Sequence, residues 1–244
     1  MGSWPLGYGR RVLAQVDSTN AEAARVAPGL AGPEWILARA QSAGRGRRGR
    51  AWVMPEGNFA ATLVLVSGVA PQTMALRSFV ASLALHDALV AACGRAAAIT
   101  LKWPNDVMLN DGKVAGILLE GLGTRLAIGI GVNLAQAPSL EEVEAGALRP
   151  VSLAEETGVC LEPEAFLERL AAAYAAREES FAAYGFGPTR AAWIARAARL
   201  GEQITARTAR AEYRGRFDTV DEQGQLVLST PEGRVRIAAA DVFF

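Results

Sequence analysis

The chain has 244 residues, 51% hydrophobic and 20% charged, with 25 basic and 25 acidic side chains and zero formal net charge. This suits a soluble globular protein and excludes a polycation that collects nucleic acid by bulk charge, so any basic site must be local. One histidine (His86) and two cysteines (Cys93, Cys160) cannot build the common zinc sites. The opening MGSWPLGYGRR has no apolar signal core, and the most apolar run, Phe59 to Val66, falls far short of the roughly 20 residues of a membrane helix. A cytoplasmic location, reduced thiols and no membrane partner are expected.

In chain order, Arg11 to Val16 reads as a first strand. Asp17-Ser18-Thr19-Asn20 then supplies helix-capping chemistry, with Glu22 three residues after Thr19 completing a capping box. A short alanine-rich helix should end before Pro28-Gly29. Trp35 to Gln41 and Phe59 to Val66 fit strands two and three. Pro71 to Cys93 reads as one long helix, apolar nearly all round and hence buried on a sheet, with His86 as a structural residue inside it. Strand-like segments follow at Ala98 to Trp103 and Asp106 to Leu109. After a turn at Asn110-Asp111-Gly112 come Lys113 to Glu120 and Arg125 to Gly131. Helices are expected at Ser152 to Thr157, Pro163 to Tyr184 and Pro188 to Leu200. Beyond Gly201 the pattern changes to short strands, at 203–209, 213–220, 226–229 and 235–238, separated by glycine turns as in a small antiparallel barrel. The chain divides into a mixed α/β unit, 1–200, and a β unit, 201–244, too small to stand alone and expected to dock on the first.

All but two of the 25 basic residues are arginine, and the two lysines, Lys102 and Lys113, fall in one short window. That clustering points at a site. Four arginines and three glycines fill Gly44 to Arg50, in a stretch free of acidic residues, and Trp52 follows. Glycine lets backbone approach a ligand, and guanidinium forks grip phosphate or carboxylate, so the loop suits a small anion or an arginine-rich nucleic-acid contact. In Lys102-Trp103-Pro104-Asn105-Asp106 the proline fixes the turn, and Lys102, Asn105 and Asp106 can project into one cleft. A Lys and Asp there suit phosphate and magnesium handling, or a buried structural ion pair. Lys113 opens an otherwise apolar strand and can serve as a fixed charge for a developing anion. Asn133 ends the strand Ile128-Gly129-Ile130-Gly131-Val132 with an amide able to read a base edge.

Taken together, DSTN at 17–20, GRGRRGRAW at 44–52, KWPND at 102–106, KVAGILLE at 113–120 and GIGVN at 129–133 resemble the biotin protein ligase family in order and spacing. The resemblance is strong from residue 11 to about 134. It implies an α+β fold, with a catalytic domain like that of class II aminoacyl-tRNA synthetases and lipoate ligases, and a C-terminal SH3-like β-barrel. It also implies activation of biotin with magnesium ATP to biotinyl-5′-AMP and pyrophosphate, then transfer to one lysine of a biotin carboxyl carrier protein of acetyl-CoA carboxylase.

By that match, Ser18, Thr19, Asn20 and Gln41 would hold the ureido end of biotin, and Gly44, Arg45, Gly46 and Arg47 would run along its carboxylate and the adenylate phosphate. Lys113 would be the main catalytic charge, with Arg47 and Asp106 also catalytic; a carboxylate beside an ammonium can serve as a general base, and whether Asp106 helps deprotonate the incoming lysine is left open. Gly116, Leu118 and Gly129 would shape the biotin pocket. Arg45, Arg47, Arg48, Trp52, Lys102, Asn105 and Asn133 would serve ATP, while the residues that meet Mg2+ are left open. Some relatives carry a DNA-binding winged helix before this region. Here DSTN begins at residue 17, so a ligase that binds no DNA is expected. Val53 stands where relatives often carry an aromatic. Ala238 to Phe244 has no basic residue where some relatives place an ATP-contacting arginine, so ATP contact by the tail is not expected. Relatives dimerise through a sheet edge, which leaves a homodimer open. The rivals are a lipoate or octanoate ligase on the related fold, and a nucleic-acid module built on Arg45 to Arg50.

Overall fold

The computed structural model describes residues 4–66, 71–94, 97–143 and 148–244. Strands β1 (Gly9–Leu13), β2 (Glu34–Ala38), β3 (Phe59–Val66), β4 (Ile99–Lys102), β5 (Asp106–Leu109), β6 (Gly112–Leu122) and β7 (Arg125–Val132) form one sheet in the order β1-β2-β3-β7-β6-β5-β4. Only β1 and β2 run parallel, and helix α1 (Thr19–Val26) makes the crossover that such a pair requires. β5 and β6 meet in the hairpin expected at Asn110-Asp111-Gly112, where Asn110 and Asp111 both take the left-handed conformation. Of the helices, α2 (Pro71–Ala75), α3 (Arg77–Cys93), α4 (Leu153–Thr157), α5 (Pro163–Tyr184) and α6 (Phe186–Ile194), it is α3 and α5 that cover one face of the sheet.

Alternation along the strands sorts side chains between two unequal faces. Trp35, Leu37, Ala61, Leu63, Ile128 and Ile130 join the large core under α3 and α5. Ile36, Val64 and Ala127 face the other way, into a small cluster with Ala23 and Ala27 of α1 and the turn after it. Only α1 covers this second face, and much of it is free to form a cleft.

Strands β8 (Gln203–Arg207), β9 (Glu212–Val220), β10 (Leu226–Thr230), β11 (Gly233–Ile237) and β12 (Asp241–Phe243) make a second, antiparallel sheet ordered β11-β10-β9-β8-β12. As anticipated, it docks on the first unit: Phe217, Leu226, Leu228 and Val242 belong to the main core. The Trp103 indole N–H donates to the Gly224 carbonyl at 3.0 Å, and the Arg190 guanidinium donates to the Val220 carbonyl.

Several elements differ from the sequence reading. The first strand is Gly9–Leu13 rather than 11–16, and the second is Glu34–Ala38 rather than 35–41; Val16 and Gln41 keep only an isolated bridge as the two chains diverge. The anticipated capping box is absent. Ser18 is the N-cap without a side-chain cap bond, and the Thr19 amide is satisfied by Gln41 instead. The single helix from 71 to 93 is broken at Leu76, whose carbonyl takes the Phe79 amide in a tighter turn. Residues 72–93 are long and apolar enough to span a membrane by composition, but half of that surface is buried within the protein.

The helix expected at 188–200 is Phe186–Ile194, because the following residues leave it to pair with β4: Leu101 donates to the Arg196 carbonyl and accepts from the Ala198 amide, both at 2.8 Å. β12 was not anticipated at all. His86 lies half-buried beside Asp87, at 3.1 Å, in keeping with a structural role, and both cysteines are free.

Gly224 carries the contact between the two sheets. Its φ is +78°, and a Cβ there would lie 2.9 Å from both Leu76 and Phe79. Gly224→Ala is therefore expected to cost about 1–3 kcal/mol through strain and overpacking, read as a lower Tm in calorimetry. An unchanged Tm would show that the sheets do not rely on this contact.

Candidate active site

On the lightly covered face, small side chains lie side by side across β3, β7 and β6. The register sets Ala60 beside Gly131 and Gly131 beside Gly116; one step on, Thr62 pairs with Gly129 and Gly129 with Leu118. A Cβ on Gly131 would run into the Trp52 indole, and one on Gly129 into the Asn20 amide. Glycine is thus required where these two side chains descend onto the sheet. The trough they share is the floor of a cleft of about 890 Å³.

At one end stands the start of α1. Ser18, Thr19 and Asn20 are buried, and the Gln41 Oε1 accepts from the Thr19 amide at 2.8 Å and lies 3.2 Å from the Thr19 hydroxyl. The Thr62 hydroxyl lies 2.6 Å from Asn20 Oδ1 and 2.8 Å from Thr19 Oγ1. Asn20 Nδ2 donates to Glu120 at 2.6 Å. The result is an ordered patch of donors and acceptors suited to a small polar head group.

At the other end the two lysines meet. Lys113 Nζ lies 2.8 Å from Asp106 Oδ1, and Lys102 Nζ 3.8 Å from Asp106 Oδ2. Burial pushes the Asp106 carboxyl up, but Lys113 and Lys102 together outweigh it and hold the group below the usual aspartate value. Burial lowers the Lys102 pKa against the pull of Asp106. The Lys113 ammonium also sits 5.8 Å from the centre of the Trp52 ring, and Lys102 lies 5.7 Å from that of Phe244.

Between these ends runs the arginine loop, folded as a tight turn. The Gly46 amide donates to the Arg50 carbonyl at 2.7 Å, the Trp52 amide to the Gly44 carbonyl at 2.9 Å, and Arg48 adopts a φ of 56°. Arg47 donates to Asn105 Oδ1 at 3.2 Å, while Asn105 Nδ2 donates to the Ile117 carbonyl at 2.7 Å, so Asn105 ties Arg47 to β6. Burial lowers the Arg47 pKa, against the charges of Asp241 and Asp106. Arg48 and Arg50 both reach Asp241 of β12, at 2.6 and 2.8 Å. Asn133 donates its amide nitrogen to the Val151 carbonyl at 3.0 Å, which leaves its oxygen to accept from a ligand.

The cleft wall includes Ser18, Thr19, Asn20, Gln41, Arg45, Gly46, Arg47, Arg48 and Trp52 from the first half of the motif set. Lys102, Asn105, Asp106, Lys113, Gly116, Leu118, Gly129 and Asn133 complete it. Gly44 stands behind the wall, bonded to Trp52. Val53, Arg207, Asp241, Phe243 and Phe244 line it as well. The tail therefore reaches the cleft, although it brings an acid where a base was sought. Residues of the arrangement not singled out from sequence include Thr62, a lone polar residue in an apolar strand; Glu120; Asp241, a lone acid in an apolar tail; and Arg207, Phe243 and Phe244 of the C-terminal unit.

The cleft thus joins a polar patch at one end and a cationic cluster at the other, with a basic loop across it. The chain belongs to the biotin/lipoate A/B protein ligase family, whose model matches residues 12–135, and the biotin protein ligase C terminal domain matches 200–244. It is similar to the biotin–[acetyl-CoA-carboxylase] ligase of Paracoccus denitrificans, 58% identical over 96% of this chain and 99% of that one. The bifunctional ligase/repressor of Escherichia coli is 29% identical over 89% of this chain and 68% of its own length. Among solved structures, the biotin protein ligase from Aquifex aeolicus in complex with biotin and ATP superposes with a TM-score of 0.84 at 25% identity, covering 96% of this chain and 98% of that one.

Two outcomes follow from this geometry. Asp241→Ala removes the partner shared by Arg48 and Arg50, so trypsin should cut between residues 45 and 50 several-fold faster than in wild type; equal rates would mean that Asp241 does not hold the loop. Because the folded Asp106 pKa is lowered, its stabilising contribution is present above the ordinary aspartate value and lost as pH falls through the folded value. The stability gap between wild type and Asp106→Asn, measured by urea unfolding, should be widest near pH 7 and shrink below about pH 4. A gap independent of pH would contradict the charge pairing.

Proposed function

We propose that this chain joins biotin to ATP as biotinyl-5′-AMP, releasing pyrophosphate, and then passes the biotinyl group to a lysine of the biotin carboxyl carrier protein of acetyl-CoA carboxylase. The observation that carries this reading is the pairing, in one cleft, of the buried amide and hydroxyl patch with the two-lysine cluster. A ureido ring needs several fixed donors and acceptors, and the new acyl phosphate needs cations. The match to a biotin protein ligase C-terminal domain favours biotin over lipoate.

In the first step a biotin carboxylate oxygen attacks the α-phosphorus, and the bond to pyrophosphate breaks. Lys113 lies where it can meet both the carboxylate and the α-phosphate, and Arg47, held by Asn105, adds a second charge along the loop; such fixed charges account for most of the rate in reactions of this kind. Ser18, Thr19, Asn20 and Gln41 hold the ureido ring, and Gly116, Leu118 and Gly129 make room for the rest of biotin, with Gly44, Arg45 and Gly46 closing over it. Arg45, Arg48 and Lys102 face the phosphates, Trp52 packs on the adenylate, and the Asn133 oxygen accepts from the adenine amino group.

In the second step the carrier lysine attacks the acyl carbon as a free amine, and AMP leaves with the bonding electrons. Asp106, held ionised by two ammoniums, is a weak proton acceptor, so its part is to fix Lys113 and Lys102. Among the described residues no group of three or more His, Cys, Asp or Glu side chains is placed to hold a metal. Mg2+, when bound, would supply charge neutralisation for the triphosphate.

In this reading residues 1–200 are the catalytic unit and 201–244 the barrel that closes its cleft, and the enzyme acts in the cytoplasm without DNA-binding or repressor activity. A homodimer would form by strand pairing along the open β1 edge.

The test is mass spectrometry of the purified protein with biotin and magnesium ATP, and with lipoate in a parallel tube. Biotinyl-5′-AMP alone is expected, and lipoyl-adenylate alone would move the substrate to the sister chemistry. Lys113→Ala should keep its fold by circular dichroism and lose about 10²–10³-fold in adenylate formation. Wild-type yield from that variant would sink the assignment of Lys113.

A further inference from the structure

We propose that Glu120 is a positioning residue for the head of the acyl substrate, fixing the Asn20 amide and the Arg45 guanidinium at once without touching the ligand. The proposal rests on the reading above in which Asn20 and its neighbours hold the ureido ring. Glu120 lies two residues beyond Leu118 and four beyond Gly116 on β6, hence on the same face of the sheet as both. The cleft wall includes those two and stops short of Glu120.

Proton accounting calls for an acceptor at this position. An amide oxygen only accepts, so the single Thr62 hydroxyl proton goes to Asn20 Oδ1 across 2.6 Å. Thr19 then supplies its own proton to Thr62 or to Gln41. With the oxygen side of the Asn20 amide fixed, its nitrogen points to Glu120 Oε2 at 2.6 Å, and that oxygen also faces Arg45 Nη2 at 3.6 Å. One carboxylate oxygen thereby ties the buried start of α1 to the first arginine of the loop. Without it, an Asn20 proton loses its acceptor and Arg45 loses its counter-charge.

Exposure separates this role from a structural one. The Glu120 and Arg45 side chains are 34% and 47% exposed, and pairs that wet contribute little to folding. That ion pair therefore adds little to the fold; the buried Asn20 amide left without its acceptor lowers stability modestly, and the larger effect of losing Glu120 falls on the substrate head.

The experiment is calorimetric titration of biotin into the full chain without ATP, for wild type, Glu120→Ala and Glu120→Gln, together with KM values for biotin and ATP and with Tm. Glu120→Ala should raise the biotin Kd and KM about 10-fold or more, with a smaller rise in the ATP KM through Arg45 and a Tm only slightly below wild type. Glu120→Gln keeps an acceptor for Asn20 and loses the attraction to Arg45, so it should fall between the two. A Glu120→Ala chain that binds biotin like wild type overturns the proposal, as does one in which both KM values rise equally and Tm falls well below wild type. A wild-type chain that binds no biotin overturns the reading of the cleft itself, a result distinct from either.

Discussion

The site is organised around one carboxylate between two ammoniums. Lys102 is buried, and Asp106 beside it is largely enclosed, with 12% of its side chain exposed. Desolvating such a charge costs several kcal/mol, and the carboxylate sits where two ammoniums offset that cost. That constraint fixes the β4–β5 turn, because Lys102 and Asp106 are register partners at its mouth. It also fixes β6, since Lys113 must reach across from the neighbouring strand. Lys113 is thereby held in a fixed direction by Asp106, as its proposed role requires.

The same sheet provides the complementary requirement, an absence of side chains. Its far face is packed with large residues under α3 and α5, whereas the near face is stripped to Ala60, Gly131, Gly116 and Gly129 where Trp52 and Asn20 descend. Strand alternation keeps the two demands apart: Ile128 and Ile130 fill the core while Gly129 and Gly131, between them, leave the trough. A one-residue slip of β7 would exchange them and lose both core and cleft, so packing of the hydrophobic face holds the polar face in register.

How much of this was legible in the sequence depends on how local the signal is. The KWPND and KVAGILLE segments act through residues close in the chain, and the hairpin between them was plain from Asp111-Gly112. α5, Pro163–Tyr184, begins at its proline and ends at Gly185, both readable. Thr62 carried no such mark, because threonine is an ordinary strand residue and its partners lie about forty positions away. The end of α6 was set by pairing with β4, a tertiary contact that overrides helix propensity. The hold of Asp241 on Arg48 and Arg50 spans 193 and 191 residues, and β12 is only 3 residues long, too short to show a period.

That last contact supplies the arginine-rich loop with counter-charge from within the protein. Four guanidiniums within six residues repel one another, and a flexible loop would spread them into solvent. Here Arg45 is drawn toward Glu120 at one end and Arg48 and Arg50 toward Asp241 at the other, while Arg47 between them is held by the neutral Asn105. The carboxylates sit on different sheets, so the loop takes its counter-charges from both units. Gly224 against Leu76 and Phe79, and Trp103 on the Gly224 carbonyl, fasten the sheet that carries Asp241 to the first unit. The C-terminal sheet, which brings no cation of its own in its last strand, shapes the anion site by holding the cations of another segment in place.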